Sequence, residues 1–130
     1  MKAQVATEFL VIVSFALIIL IPIIYYSFFY SYESTAASET QRAARTIADA
    51  ADYVYSLGNG TTTNVRISIP AGVVGGLVLD HTINYKISTS AGVSDVIAIT
   101  RAEIAGVIPN KTGVYNVNIQ NSNGLVVISW

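Results

Sequence analysis

The 130-residue chain has no cysteine, which excludes disulfide staples and thiolate metal sites. Charge is also scarce. Asp, Glu, Lys and Arg make up 12% of the residues, against about 25% in ordinary soluble proteins. The seven basic residues are scattered among eight acidic ones, for a net charge of −1. Nucleic acid is not an expected partner, because phosphate binding needs clustered cations to displace counterions. Catalytic groups are sparse as well. The single histidine, His81, follows Asp80 in a predicted strand, where neighbouring side chains point to opposite faces and cannot easily act together. The glycines of "GVVGG" precede a strand and have no lysine for a phosphate. No paired metal-ligand spacing occurs. The sequence therefore predicts no enzyme, no cofactor and no metal site.

What the sequence does contain is an apolar run. From Phe9 to Tyr32 there are 24 residues without a charge, and every charged residue lies outside that window. As a helix the run reaches roughly 36 Å, enough to cross a bilayer core of about 30 Å. It is not patterned as a disposable secretory signal, which would carry a basic stretch, a shorter apolar core and a cleavage site after that core. Pro22 falls inside it, removing one backbone donor and predicting a kink, a defect that hydroxyls such as Ser14 could offset.

The pattern then changes without a break signal. Between Glu33 and Leu57 there is neither Pro nor Gly, and Ala43, Ile47, Ala50, Val54 and Leu57 recur at helical spacing as one apolar stripe. Glu39, Arg42, Arg45, Asp49 and Asp52 fall on the opposite side. Gly58, Asn59 and Gly60 then stop the helix. Beyond Thr61 the period shortens to two. "NVRISIP" and "LVLDHTINYKIS" read as strands, the second with Leu77, Leu79, His81, Ile83, Tyr85 and Ile87 on one parity. "SDVIAIT" and the weaker "EIAGVIP" follow. "GVYNVNIQNSNGLVVISW" reads as a hairpin turning at "NSNG", and its last strand, apolar on both faces, is expected to be central. The expected class is α+β: a helix over residues 4–58, apolar over about 9–32 and amphipathic over about 33–57, packed on a small antiparallel, sandwich-like β-domain over 61–130. About seventy residues make a lean core, so the amphipathic helical half should complete it.

Two further features bear on function. Asn59-Gly60-Thr61 and Asn110-Lys111-Thr112 are acceptor sequons for N-glycosylation in predicted loops, consistent with an extracellular face. Glu8 stands one residue ahead of the apolar run. Its simplest role is a first-turn carboxylate favoured by the helix dipole. If the chain were cut between Ala3 and Gln4, the new amine and Glu8 would both sit at the tip of an apolar helix. Paired between adjacent molecules, they would select axial register more than they would add stability.

These residues carry a resemblance. "MKAQVATEFLVIVSFALIIL" is similar to the N-terminus of archaeal type IV pilins with a class III signal peptide. The basic and small residues before the cut are Lys2 and Ala3, the residue after it is Gln4, and the fifth mature residue is Glu8. The resemblance implies that a membrane-embedded prepilin peptidase removes residues 1–3. It also implies that the subunit is held in the membrane and then polymerises into a surface filament, with helices in the core, β-rich domains outside and a role in adhesion. The same N-terminus would serve a minor pilin or pseudopilin of a secretion or uptake apparatus, or an archaellin. A reading from another class is a single-pass membrane-anchored binding module. Lys2 and the amine favour an inside N-terminus, whereas Arg42 and Arg45 lie within reach of the other flank; the sequons tip the orientation toward an inside N-terminus and an outside β-domain.

Overall fold

A computed structural model describes residues 1–130, apart from the side chain of Lys2. Helix α1 runs Lys2–Leu57, with Pro22 inside it. It therefore opens two residues ahead of the expected Gln4, and Glu8 lies beyond the first turn, which contains no acidic residue. The dipole rationale for Glu8 thus loses its geometric basis. The chain divides into two compact units, Met1–Ser34 and Thr35–Trp130.

Unit 1 is helical and has no core of its own. Its described side chains from Ala3 to Tyr32 are all exposed. Tyr25 stacks on Phe29 at 6.5 Å between ring centroids and meets Tyr26 edge-on at 6.1 Å.

Unit 2 holds the hydrophobic core. Its helical part buries Ala43, Ala44, Ile47, Ala48, Ala51 and Val54, a broader face than the expected stripe and one made largely of alanine. Small side chains let the helix approach the sheets closely. Leu57, expected on the stripe, is 54% exposed. Spacings that average 3.5 residues drift around a helix of 3.6 residues per turn, and Leu57 is the last helical residue. Gly58 follows with a φ of 99°, the left-handed conformation that commonly ends helices. The amide of the buried Asn121 side chain donates to the Val54 carbonyl at 3.4 Å, meeting one of the orphan acceptors of the last turn.

Seven strands follow: β1 (Thr62–Ile69), β2 (Val73–Leu79), β3 (Thr82–Thr89), β4 (Gly92–Ile99), β5 (Glu103–Gly106), β6 (Gly113–Ser122) and β7 (Leu125–Ser129). They form a four-stranded sheet in the order β1-β6-β7-β5 and a three-stranded sheet in the order β2-β3-β4. The fold is α+β, with the helix packed on a small two-sheet β-domain. Strand β7 is central in its sheet, as expected, but only one of its faces is covered: Val126 and Ile128 are buried and Val127 is exposed. Asn123 and Gly124 both have positive φ, 55° and 88°, in the two-residue β6–β7 loop, the conformation that favours Asn-Gly in tight hairpins.

Three expectations need correction. The β-domain is not wholly antiparallel, because β5 pairs with β7 in parallel; β5 is reached from the other sheet by a connection, not by a hairpin. Of the "GVVGG" glycines only Gly72 precedes a strand; Gly75 and Gly76 lie inside β2 itself. A Cβ at Gly76 would come within 3.0 Å of the Tyr85 ring and 3.1 Å of Ile108, so a larger residue would displace core side chains. Finally, "LVLDHTINYKIS" is a hairpin, not one strand. Asp80 takes a φ of 42°, and Leu79 pairs with Thr82 across a two-residue loop. Pairing across such a loop matches odd positions with even ones, so the alternation changes face at the turn. Ile83, Tyr85 and Ile87 are buried, whereas Leu77 and Leu79 are exposed.

Candidate assembly segment and surface sites

In unit 1, Ala3, Gln4 and Glu8 lie within the first two turns, and the four-residue spacing of Gln4 and Glu8 puts them on one face of the helix. The Glu8 side chain is exposed. The Lys2 side chain, the expected basic element of the processing site, lies outside the described residues. The Thr7 hydroxyl donates to the Ala3 carbonyl and that of Ser14 to the Leu10 carbonyl, each at 2.8 Å. Ser14 is therefore committed upstream of the site where Pro22 removes a donor, the carbonyl four residues earlier, at Ile18.

The two sequons differ. Asn59 is tied at both ends of its amide: its Nδ2 donates to Asn123 Oδ1 at 3.0 Å, and its Oδ1 accepts from the Asn123 backbone N–H at 2.9 Å. Those bonds join the loop after the helix to the β6–β7 turn. Asn110 is exposed in the loop ahead of β6, and among the described residues its side chain makes no hydrogen bond. Glycan transfer needs the side-chain nitrogen free. Where the chain meets a glycosyltransferase after folding, peptide mass spectrometry should find Asn110 modified and Asn59 bare; the reverse pattern would mean that transfer precedes folding of this loop.

One carboxylate was misplaced by the helical pattern. Asp52, expected on the solvated side, is half-buried and accepts hydrogen bonds from the Thr100 hydroxyl at 2.6 Å and from the backbone N–H groups of Arg101 and Ala102 at 2.8 and 3.3 Å. Partial burial raises its pKa, but those three donors and the nearby Arg101 charge outweigh that, holding the carboxyl below its ordinary value of 3.8. On the other side of the same connection, the ring of His81 places Nδ1 2.9 Å from the Ala102 carbonyl, and the His81 carbonyl accepts from Thr100 N–H at 2.9 Å. His81 thus sits in a turn and binds the segment between β4 and β5. No periodicity could have revealed this, since all of these partners are remote in sequence.

Burial alone pushes the Tyr85 phenol up in pKa. Among the described residues no three His, Cys, Asp or Glu side chains are placed to hold a metal ion. One helix is long and apolar enough to cross a membrane. No protein-family model matches the chain, and no curated protein or solved structure is detectably similar to it.

Proposed function

We propose that this chain is the structural subunit of an archaeal type IV-like surface filament. It is inserted in the membrane as a precursor, cleaved between Ala3 and Gln4 by a prepilin peptidase, and polymerised through its apolar helix, with the β-bearing unit outward for surface attachment. One observation carries this reading: unit 1 exposes its apolar side chains from Phe9 to Tyr32, while the core of unit 2 closes without them. Burying each such side chain away from water contributes about 1.5–3 kcal/mol, so the segment needs lipid or copies of itself around it. Lipid tails are as apolar as leucine, so the membrane stores the subunit without opposing its later transfer into a polymer. The amine of Gln4 and the carboxylate of Glu8 then set the offset between neighbouring helices.

Two measurements on native material test this. Edman degradation should start at Gln4, and Glu8→Ala should leave membrane insertion and cleavage intact while lowering the yield of sheared filaments by about a hundredfold or more, since stranding one partner of a buried charge pair costs roughly 3–5 kcal/mol. Wild-type filament yield from Glu8→Ala would remove the pairing role. Discrete small species from the cell surface, with an uncleaved N-terminus, would instead identify a membrane-anchored binding module.

A further inference from the structure

The outer face of the three-stranded sheet β2-β3-β4 is more apolar than that of the four-stranded sheet, which exposes Val114 and Val127 among polar side chains. On the four-stranded sheet, exposed or half-buried Asn64, Asn116, Asn118 and Gln120 face out, and Asn118 Nδ2 donates to Asn64 Oδ1 at 3.0 Å across the strands. On the three-stranded sheet, the register sets Leu79, Thr82 and Ile99 in one cross-strand row, Leu77, Asn84 and Ile97 in the next, and Gly75, Lys86 and Asp95 in a third. Leu77, Leu79, Ile97 and Ile99 are 52, 54, 53 and 78% exposed. Between Leu77 and Ile97, Asn84 Oδ1 is shielded from solvent and has no hydrogen-bond partner among the described residues. Four large aliphatic side chains in two adjacent rows make a patch of the size that, at about 300–600 Å² on a monomer, is often functional. It would supply a large part of the roughly 800 Å² that each partner buries in a standard interface.

The charges on this face indicate what covers it. Lys86 and Asp95 are direct cross-strand partners, yet among the described residues neither makes an ion pair within the chain. A face carrying one cation and one anion side by side at the edge of an apolar patch is complementary to itself. We propose that the outer face of β2-β3-β4 docks on the same face of a second copy. A two-fold axis parallel to the strands, between β3 and β4, sets Lys86 against the partner's Asp95 and Asp95 against the partner's Lys86. It stacks β3 and β4 on the partner's β4 and β3 at the usual spacing of about 10 Å, setting Ile97 and Ile99 against the partner's Asn84 and the partner's Thr82, with Leu77 and Leu79 of β2 flanking the contact. Such an isologous contact returns to its starting point after two copies. A filament with every subunit pointing one way repeats only head-to-tail contacts, so this face joins separate filaments side by side. That consequence rests on the filament reading; the pairing of copies does not.

The full chain, dispersed in mild detergent so that unit 1 is covered, tests the pairing directly. Carbodiimide treatment should give a covalent dimer whose digest contains a Lys86–Asp95 link. Either single variant also removes one partner of the carbodiimide reaction, so its dimer fraction is read without a cross-linker, by sedimentation velocity: Lys86→Asp or Asp95→Lys alone places like charges opposite each other and should lower that fraction about tenfold. An equimolar mixture of the two variants should restore it as a heterodimer, and the double exchange in one chain should restore the homodimer. All of these positions are exposed, so the variants fold. Equal dimer yield from every variant, dimers linked elsewhere, or failure of the mixture to restore pairing would overturn the proposal. None of those outcomes touches cleavage at Gln4 or the effect of Glu8→Ala.

Discussion

Gly106→Ala should unfold unit 2 at markedly lower temperature than the parent chain. Gly106 has a φ of 127°, a conformation essentially reserved for glycine, and forcing another residue into it costs of order 1–3 kcal/mol. At this position a second penalty is added. Gly106 pairs with Ile128 in the parallel β5–β7 ladder, and an added Cβ would overlap the Ile128 carbonyl, the acceptor for the Val107 N–H at 3.2 Å. Backbone cannot rotate aside as a side chain can, so β5 must separate from β7 or the ladder must shift. The combined loss should reach about 3 kcal/mol or more, a fall of roughly 10–20 °C in Tm for a domain of this size. Gly124→Ala is the control. Its φ is 88°, but a Cβ there meets nothing within 4 Å, so only the backbone term remains, about 1 kcal/mol. Circular dichroism melts of the full chain in detergent measure both, and equal shifts would show that the collision is relieved at no cost.

Asp52→Asn should destabilise unit 2 by about 2 kcal/mol and flatten its response to acid. A carboxylate accepting from three donors is replaced by a neutral amide, and hydrogen bonds to charged groups contribute about 1.5–3 kcal/mol. Because the folded-state pKa of Asp52 is held below its ordinary value of 3.8, the native state binds this proton less readily than the unfolded chain. The stabilisation is fully present above that value and is lost as pH falls through the lower folded pKa. Melts between pH 7 and pH 2 should therefore converge for parent and variant at the acid end. A constant gap across that range would mean that the ionised form is not what holds the β4–β5 connection.

Much of the architecture was legible because it rests on local periodicity. The apolar run, the alanine-rich helix, its stop at Gly58 and the Asn123-Gly124 hairpin each follow from spacing and backbone preference within a dozen residues. The errors fall where remote parts of the chain decide. The Asp80–His81 turn carries no glycine or proline, and its positive-φ aspartate looks like one more polar strand position. Asp52 reads as solvated because its three donors come from residues 100–102. The parallel β5–β7 pairing depends on a crossover that no short window displays. At the candidate assembly segment, the placement of Glu8 before the apolar run was readable, whereas the different freedom of Asn59 and Asn110 needed their neighbours in space.

The location of the core has a mechanical corollary. Every side chain in the main cluster comes from Ala43 or later, so exchanging the surroundings of the oily segment, whether for lipid or for sister helices, disturbs no contact within that cluster. If the chain polymerises as proposed, tension on the fibre would strain the bonds between its helices while unit 2 kept its own melting point. Toughness and foldedness would thus evolve on separate stretches of one polypeptide.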